Sequence, residues 1–186
     1  ATPDAGVMRI NLYDMAIIGS WQSLGADNLD ATPVAVDDDI IYLGLSDFGL
    51  LIIDRLTGDI IDLWTQDDGT LPDDDVLSLH MDYQGELIVG ASVSNSGATS
   101  NGGIARWDGS SWQQLETSIP GWNNDPYVFY DITSDADGIY AGTNRGACIW
   151  NWTFDLRGCI SSQDGMPSRF VYSVAKLGTD RLYAGT

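Results

Sequence analysis

Basic residues are scarce in this chain, and the scarcity excludes more than any motif does. Eight Lys and Arg stand against 27 Asp and Glu, a formal net charge of -19 over 186 residues. A polyanion of this size repels nucleic acid and anionic lipid, because binding it releases no counterions from them. Histidine occurs once, at His80. There is no Gly-x-Ser-x-Gly nucleophile elbow and no His/Cys ligand set, so hydrolase and metalloenzyme readings have little to stand on. No apolar run approaches the roughly 18 residues that span a bilayer. Ala1 opens the chain with neither an initiator Met nor a charged-then-apolar leader, which implies a processed or excised chain. The excess of acid reads first as a solvated surface, and second as capacity for cations.

Apolar residues are plentiful at 44%, enough for a packed core, and they come with 21 Gly and 10% aromatics. That mixture suits short strands joined by tight turns. The strands repeat. Gly6-Val-Met-Arg-Ile-Asn11 aligns with Gly49-Leu-Leu-Ile-Ile-Asp54, Gly103-Ile-Ala-Arg-Trp-Asp108 and Gly146-Ala-Cys-Ile-Trp-Asn151, at intervals of 43, 54 and 43 residues. A second marker precedes the first: Ile41-Tyr-Leu-Gly44, Leu87-Ile-Val-Gly90, Ile139-Tyr-Ala-Gly142 and Leu182-Tyr-Ala-Gly185. A third, Asp68-Gly-Thr-Leu-Pro72 before Val76-Leu-Ser-Leu79, returns as Asp164-Gly-Met-Pro167 before Val171-Tyr-Ser-Val174.

Each unit resolves into four predicted strands. In the best example they run over 76–81, 86–91, 103–107 and 112–116. Asp82-Tyr-Gln-Gly85 turns the first pair and Asp108-Gly109 turns the last. A period near 40–45 residues with four strands is the spacing of a β-propeller blade. The predicted fold is therefore all-β: four repeat-lengths of four-stranded antiparallel blades in one domain over 1–186. The blades fall at 33–75, 76–127 and 128–170, with partial blades at 1–32 and 171–186. The partial blades are complementary in phase, the last supplying first and second strands and the first supplying third and fourth. Three completions fit: a four-bladed ring clasped on itself, a second copy of the chain, or a larger propeller of about 7–8 blades. The last is the preferred expectation, with remaining blades as partners.

The repeat resembles that of the two-component-regulator propeller family. Val76-Leu-Ser-Leu79, Asp82-Tyr-Gln-Gly85, Leu87-Ile-Val-Gly90 and Gly103-Ile-Ala-Arg-Trp-Asp108 follow its order. So do Asp135-Ala-Asp-Gly138, Ile139-Tyr-Ala-Gly-Thr143 and Gly146-Ala-Cys-Ile-Trp-Asn151. Where the family prefers Trp, this chain has Tyr42, Ile88, Tyr140 and Tyr183, a divergence. The resemblance implies an extracellular or periplasmic sensor or interaction domain; the residues themselves point to a protein or carbohydrate ligand, and with no long apolar run no membrane insertion is expected.

Several residues are candidates for chemistry. Loops between second and third strands, and those joining blades, lie on one face, the usual binding surface. Two are enlarged, over 92–102 and 117–127. The second holds Pro120-Gly-Trp122-Asn123-Asn124-Asp125, an aromatic beside amides and a carboxylate, a set that suits a sugar or peptide. No cofactor is implied. Calcium is the one metal that Asp37–Asp39, Asp73-Asp74-Asp75 and Asp135–Gly138 suggest. None completes a calcium loop, and only Asp73, Asp74 and Asp75 lie on the binding face. Cys148 and Cys159 flank a predicted hairpin and could form a cross-strand disulfide, which favours an exported protein. Asn151-Trp-Thr153 is a glycosylation sequon. His80 and Ser78, in a predicted inner strand, read as packing residues. The expected function is a non-catalytic recognition module. A polysaccharide- or lactone-cleaving lyase on the same fold, and a building block that assembles through its end blades, are the alternatives.

Overall fold

A computed structural model describes residues 7–21, 31–92, 102–115 and 128–186. Among them there is no α-helix, and every paired strand is antiparallel to its neighbour. A two-stranded sheet holds β1 (Val7–Ile10) and β2 (Ile17–Trp21). Three four-stranded meanders follow. The first contains β3 (Ala31–Val36), β4 (Ile40–Leu45), β5 (Gly49–Asp54) and β6 (Ile60–Trp64). The next contains β7 (Asp75–Met81), β8 (Leu87–Ser92), β9 (Gly103–Trp107) and β10 (Trp112–Gln114). The third contains β11 (Phe129–Asp135), β12 (Gly138–Thr143), β13 (Gly146–Trp150) and β14 (Leu156–Ile160). A last pair, β15 (Ser173–Leu177) and β16 (Arg181–Gly185), forms a sheet of its own.

The order of strands within each sheet explains the sequence pattern. First strands of successive sheets pack on one another, β3 on β7, β7 on β11 and β11 on β15. Second strands then lie sandwiched between sheets. Strands β8 and β12 are buried along their whole length, whereas β6, a fourth strand, is mostly exposed. A strand covered on both faces needs apolar side chains at every position rather than every other one. On β8, Leu87 and Val89 join the core shared with the preceding sheet, and Ile88 joins the core shared with the following one. The first of these cores is closed by three indoles, Trp64, Trp107 and Trp112, with ring centroids 5.0 to 5.6 Å apart. The second is built around Phe129 and Trp150, both fully buried.

A glycine near the end of β4, β8 and β12 (Gly44, Gly90 and Gly142) marks where the next blade presses in. A Cβ on Gly90 would sit 2.6 Å from the Phe129 Cβ, and one on Gly142 would sit 2.7 Å from the Val171 carbonyl oxygen. Only hydrogen fits there. Ser78, the repeat serine, is buried beside Gly90 and donates its hydroxyl to the Phe129 carbonyl at 3.0 Å, a direct bond between blades. The predicted second strand at 86–91 begins one residue later in the structure. Glu86 is held in the turn, where its N–H donates to Asp82 Oδ1 at 2.9 Å and its carboxylate meets Arg106. Cys148 and Cys159 stand directly opposite each other on β13 and β14, with Cα atoms 4.0 Å apart, and are joined as a disulfide.

Candidate binding face

Chain direction sorts the connections. The turns joining first to second and third to fourth strands share one side of the sheets, here the lower side. The second-to-third connections and the links between blades share the other, the upper side. The upper side therefore draws residues from every blade.

An extra residue in the first strand shapes this face. The register runs Val76↔Ala91 and then Ser78↔Gly90, so Leu77 has no partner of its own. On β11 it runs Phe129↔Thr143 and then Asp131↔Gly142, which leaves Tyr130 over. Such bulges re-aim a side chain out of the regular alternation. Tyr172 holds the corresponding place ahead of β15, with its N–H bonded to the Gly185 carbonyl at 2.8 Å. The Tyr130 and Tyr172 rings meet at 4.9 Å, and Tyr172 is 58% exposed. Burial pushes the Tyr130 phenol above its ordinary value, the Tyr172 phenol adds to this, and Arg169 opposes it. Arg169 in turn lies over the Phe170 ring at 4.9 Å. Across the face, Phe48 is exposed in the β4–β5 turn, next to Asp47 in the left-handed backbone region at φ 62°. The two phenols and the guanidinium offer stacking surface with hydrogen-bonding edges, and Phe48 is a separate exposed ring on another blade. Sequence reasoning missed this group. The available signal was the aromatic in the middle of Val171-Tyr-Ser173 and Phe129-Tyr-Asp131, where the other blade has Leu77.

The Asp runs are employed differently. Asp75 accepts from the Ser46 hydroxyl at 2.9 Å, Asp74 from the Gln66 N–H at 2.6 Å, and Asp73 from the Asp75 N–H at 3.2 Å. They fasten the link between two blades. Burial raises the Asp75 carboxyl above its usual range, the Ser46 hydroxyl opposes that, and the neighbouring carboxylates Asp47 and Asp73 add to the rise. On the lower side, Asp37 Oδ1 accepts from the Asp39 and Ile40 N–H groups, and Asp37 Oδ2 accepts from the Tyr42 hydroxyl at 3.0 Å. Asp135 accepts from the Asp137 N–H and pairs with Lys176. Among the described residues, no three His, Cys, Asp or Glu side chains are grouped so as to hold a metal ion.

The remaining candidates are scattered. His80 lies between β7 and β11, with Nε2 2.9 Å from the Ser134 hydroxyl. Burial lowers its pKa, and Asp82 and Asp131 oppose the fall. Asn151 Oδ1 accepts from the Thr153 and Asp155 N–H groups at 3.0 and 2.9 Å, the same turn-forming use that Asp108 makes of Ser110 and Ser111. Trp122, Asn123, Asn124 and Asp125 lie outside the described residues, as does most of the other enlarged loop.

No family model matches the sequence, and no curated protein does. Solved structures do match. The extracellular domain of the putative hybrid two-component system BT3049 from B. thetaiotaomicron is 16% identical with a TM-score of 0.73, over 98% of this chain and 24% of that one. This chain thus spans about a quarter of that structure. The computationally designed Ika4 protein is 19% identical at TM-score 0.58, over 88% and 89% of the two chains. The RRP9 WD40 repeats are 17% identical at 0.58, over 87% and 46%. No helix among the described residues is long and apolar enough to cross a membrane. By topology, radial burial and likeness to these structures, the chain is an all-β protein built of β-propeller blades.

Proposed function

We propose that the chain is a non-catalytic recognition module. In this reading it is a divergent member of the two-component-regulator propeller family, works outside the cytoplasm, and takes a carbohydrate or protein ligand on its upper face. The observation that carries the reading is the Tyr130–Tyr172 pair, with Arg169 beside it. Paired aromatic rings with polar edges bind a ligand by stacking and hydrogen bonds and need no reacting group. The acids of the same face are held by the scaffold, which suits them to shaping a surface rather than to moving protons. The Cys148–Cys159 disulfide supports an oxidising compartment. The likeness to an extracellular domain of a two-component system supports the same side of the membrane.

The test is an array of oligosaccharides and peptides probed with the wild-type chain, Tyr172→Ala, Tyr130→Ala and the lower-side control Leu56→Ala. The wild type and L56A are expected to bind alike. Each tyrosine variant is expected to bind at least about tenfold more weakly, the loss of an aromatic anchor. Full binding by both tyrosine variants, or chemical conversion of the bound compound, contradicts the proposal.

A further inference from the structure

The chain has one histidine, His80, and histidine is the side chain that ordinarily changes charge between about pH 5 and pH 8. It stands at a joint between blades. From β7 its half-buried ring reaches the following blade, where Nε2 lies 2.9 Å from the Ser134 hydroxyl of β11. With Ser78, whose hydroxyl bonds the Phe129 carbonyl, it ties β7 to β11. Its cross-strand partner on β8 is Ile88, fully buried in the core that holds Phe129 and Ile132.

The next joint along the chain is held differently. Phe129-Tyr-Asp-Ile-Thr-Ser134 aligns with Val171-Tyr-Ser-Val-Ala-Lys176, so Lys176 of β15 holds the place that Ser134 holds in β11. Lys176 pairs with Asp135 and Asp137 of the preceding blade. Asp82 is the counterpart of Asp135, and it is bonded instead within its own blade, to Arg106 at 3.2 Å. Where β11 meets β15 there is an ion pair. Where β7 meets β11 there is an imidazole against a hydroxyl.

Two carboxylates act on the ring, Asp82 at the end of its own strand and Asp131 of β11. Both have other partners. Besides Arg106, Asp82 accepts from the Gln84 and Glu86 N–H groups. Asp131 accepts from the Ile132 and Val174 N–H groups. Strands β3, β4 and β8 also pack on β7 and carry no acidic or basic side chain, and the Tyr42 phenol of β4 is bonded to Asp37. Strand β5, which touches β7 as well, ends on Asp54, bonded in its own turn. Burial outweighs the two carboxylates and disfavours a charge on the ring. A ring released into water holds a proton better.

We infer that the His80–Ser134 contact is an acid-sensitive latch: the β7–β11 joint is closed while the ring is neutral and opens when the ring takes a proton. By linkage, the stability that the neutral ring contributes is whole above its unfolded value of 6.5 and is lost as pH falls through the lower folded-state value. The β11–β15 ion pair keeps its charges between about pH 5 and pH 8. Acid therefore loosens one joint and spares the next. The latch does not depend on the upper-face ligand.

The test reads the ring and the joint separately. Proton NMR of the single imidazole, followed from about pH 8 to pH 4, is expected to show a midpoint below 6.5. Amide hydrogen exchange at about pH 7 and pH 5, corrected for intrinsic rates, is expected to show acid-induced loss of protection in 75–81, 87–92 and 129–135, beyond any in 173–177. His80→Gln keeps a hydrogen-bonding side chain and takes no proton, so in that variant the selective loss is expected to vanish. The first two readings use the wild-type chain and decide the matter even where the variant does not fold. A midpoint at or above 6.5 overturns the inference. So does wild-type protection that acid leaves unchanged, or lowers equally in 129–135 and 173–177. Selective loss that persists in His80→Gln overturns it too.

Discussion

Gly90→Ala tests the blade joint where it is tightest. Gly90 lies outside the left-handed backbone region, so alanine brings no backbone strain there. The added methyl would instead sit 2.6 Å from the Phe129 Cβ and 2.8 Å from the Ile132 Cδ1, with the Ser78 hydroxyl nearer still. All three belong to the joint between two sheets. Overpacking of this kind costs about 1–3 kcal/mol. For a chain of this length, a cost of about 2 kcal/mol lowers Tm by roughly 4–8 °C. Ile132→Val removes the Cδ1 that the new methyl strikes. Alone, it costs about 0.5–1.5 kcal/mol for the buried methyl lost. Together the two substitutions are expected to cost less than their sum, by about 0.5–1 kcal/mol, because the second makes room for the first. Urea unfolding followed by tryptophan fluorescence measures the cycle, with an unchanged m-value as the sign that only the native state is affected. Additivity within about 0.3 kcal/mol would refute the claim that β8 packs on β11 through this glycine.

Other consequences follow from the same packing. Replacing both Cys148 and Cys159 by Ala opens a short covalent loop and is expected to remove about 3 kcal/mol of stability, read as a fall in Tm that reductant reproduces in the wild type. Arg106→Ala leaves the Asp82 carboxylate buried without its cation and is expected to cost about 3–5 kcal/mol; Arg106→Met with Asp82→Asn and Glu86→Gln should recover most of it. Burial, with the hydrogen bond to Asp37, pushes the Tyr42 phenol up to about 12. A folded-state value above the unfolded one means stability that is whole below about pH 10 and is lost as pH rises toward 12. Tyr42→Phe should flatten that decline in unfolding curves taken across the window.

The strands were legible because they are short and buried in a regular way. Leu87-Ile-Val-Gly90 and Ile139-Tyr-Ala-Gly142 read as continuous apolar runs since blades cover both of their faces. The turns were legible from Asp and Gly, whose local hydrogen bonds need no tertiary context, as at Asp108. What joins the blades was not legible. Ser46 meets Asp75 from 29 residues away, and Tyr130 meets Tyr172 only because β11 and β15 are neighbours. The bulge that frees Tyr130 is a one-residue slip of register, invisible in a repeat counted by its glycines. Asp73–Asp75 could be read from sequence only as weak cation candidates, for the same reason. A row of carboxylates reads alike whether its partners are a metal or the N–H and O–H groups of an adjoining turn.

The central claim is that recognition belongs to the upper face. Hydrogen exchange with and without a compound selected on the array tests it most directly. The account predicts added protection in 46–49, 128–131 and 168–173, with the lower turns at 82–86, 108–111 and 151–155 unchanged. Protection confined to those lower turns would contradict it.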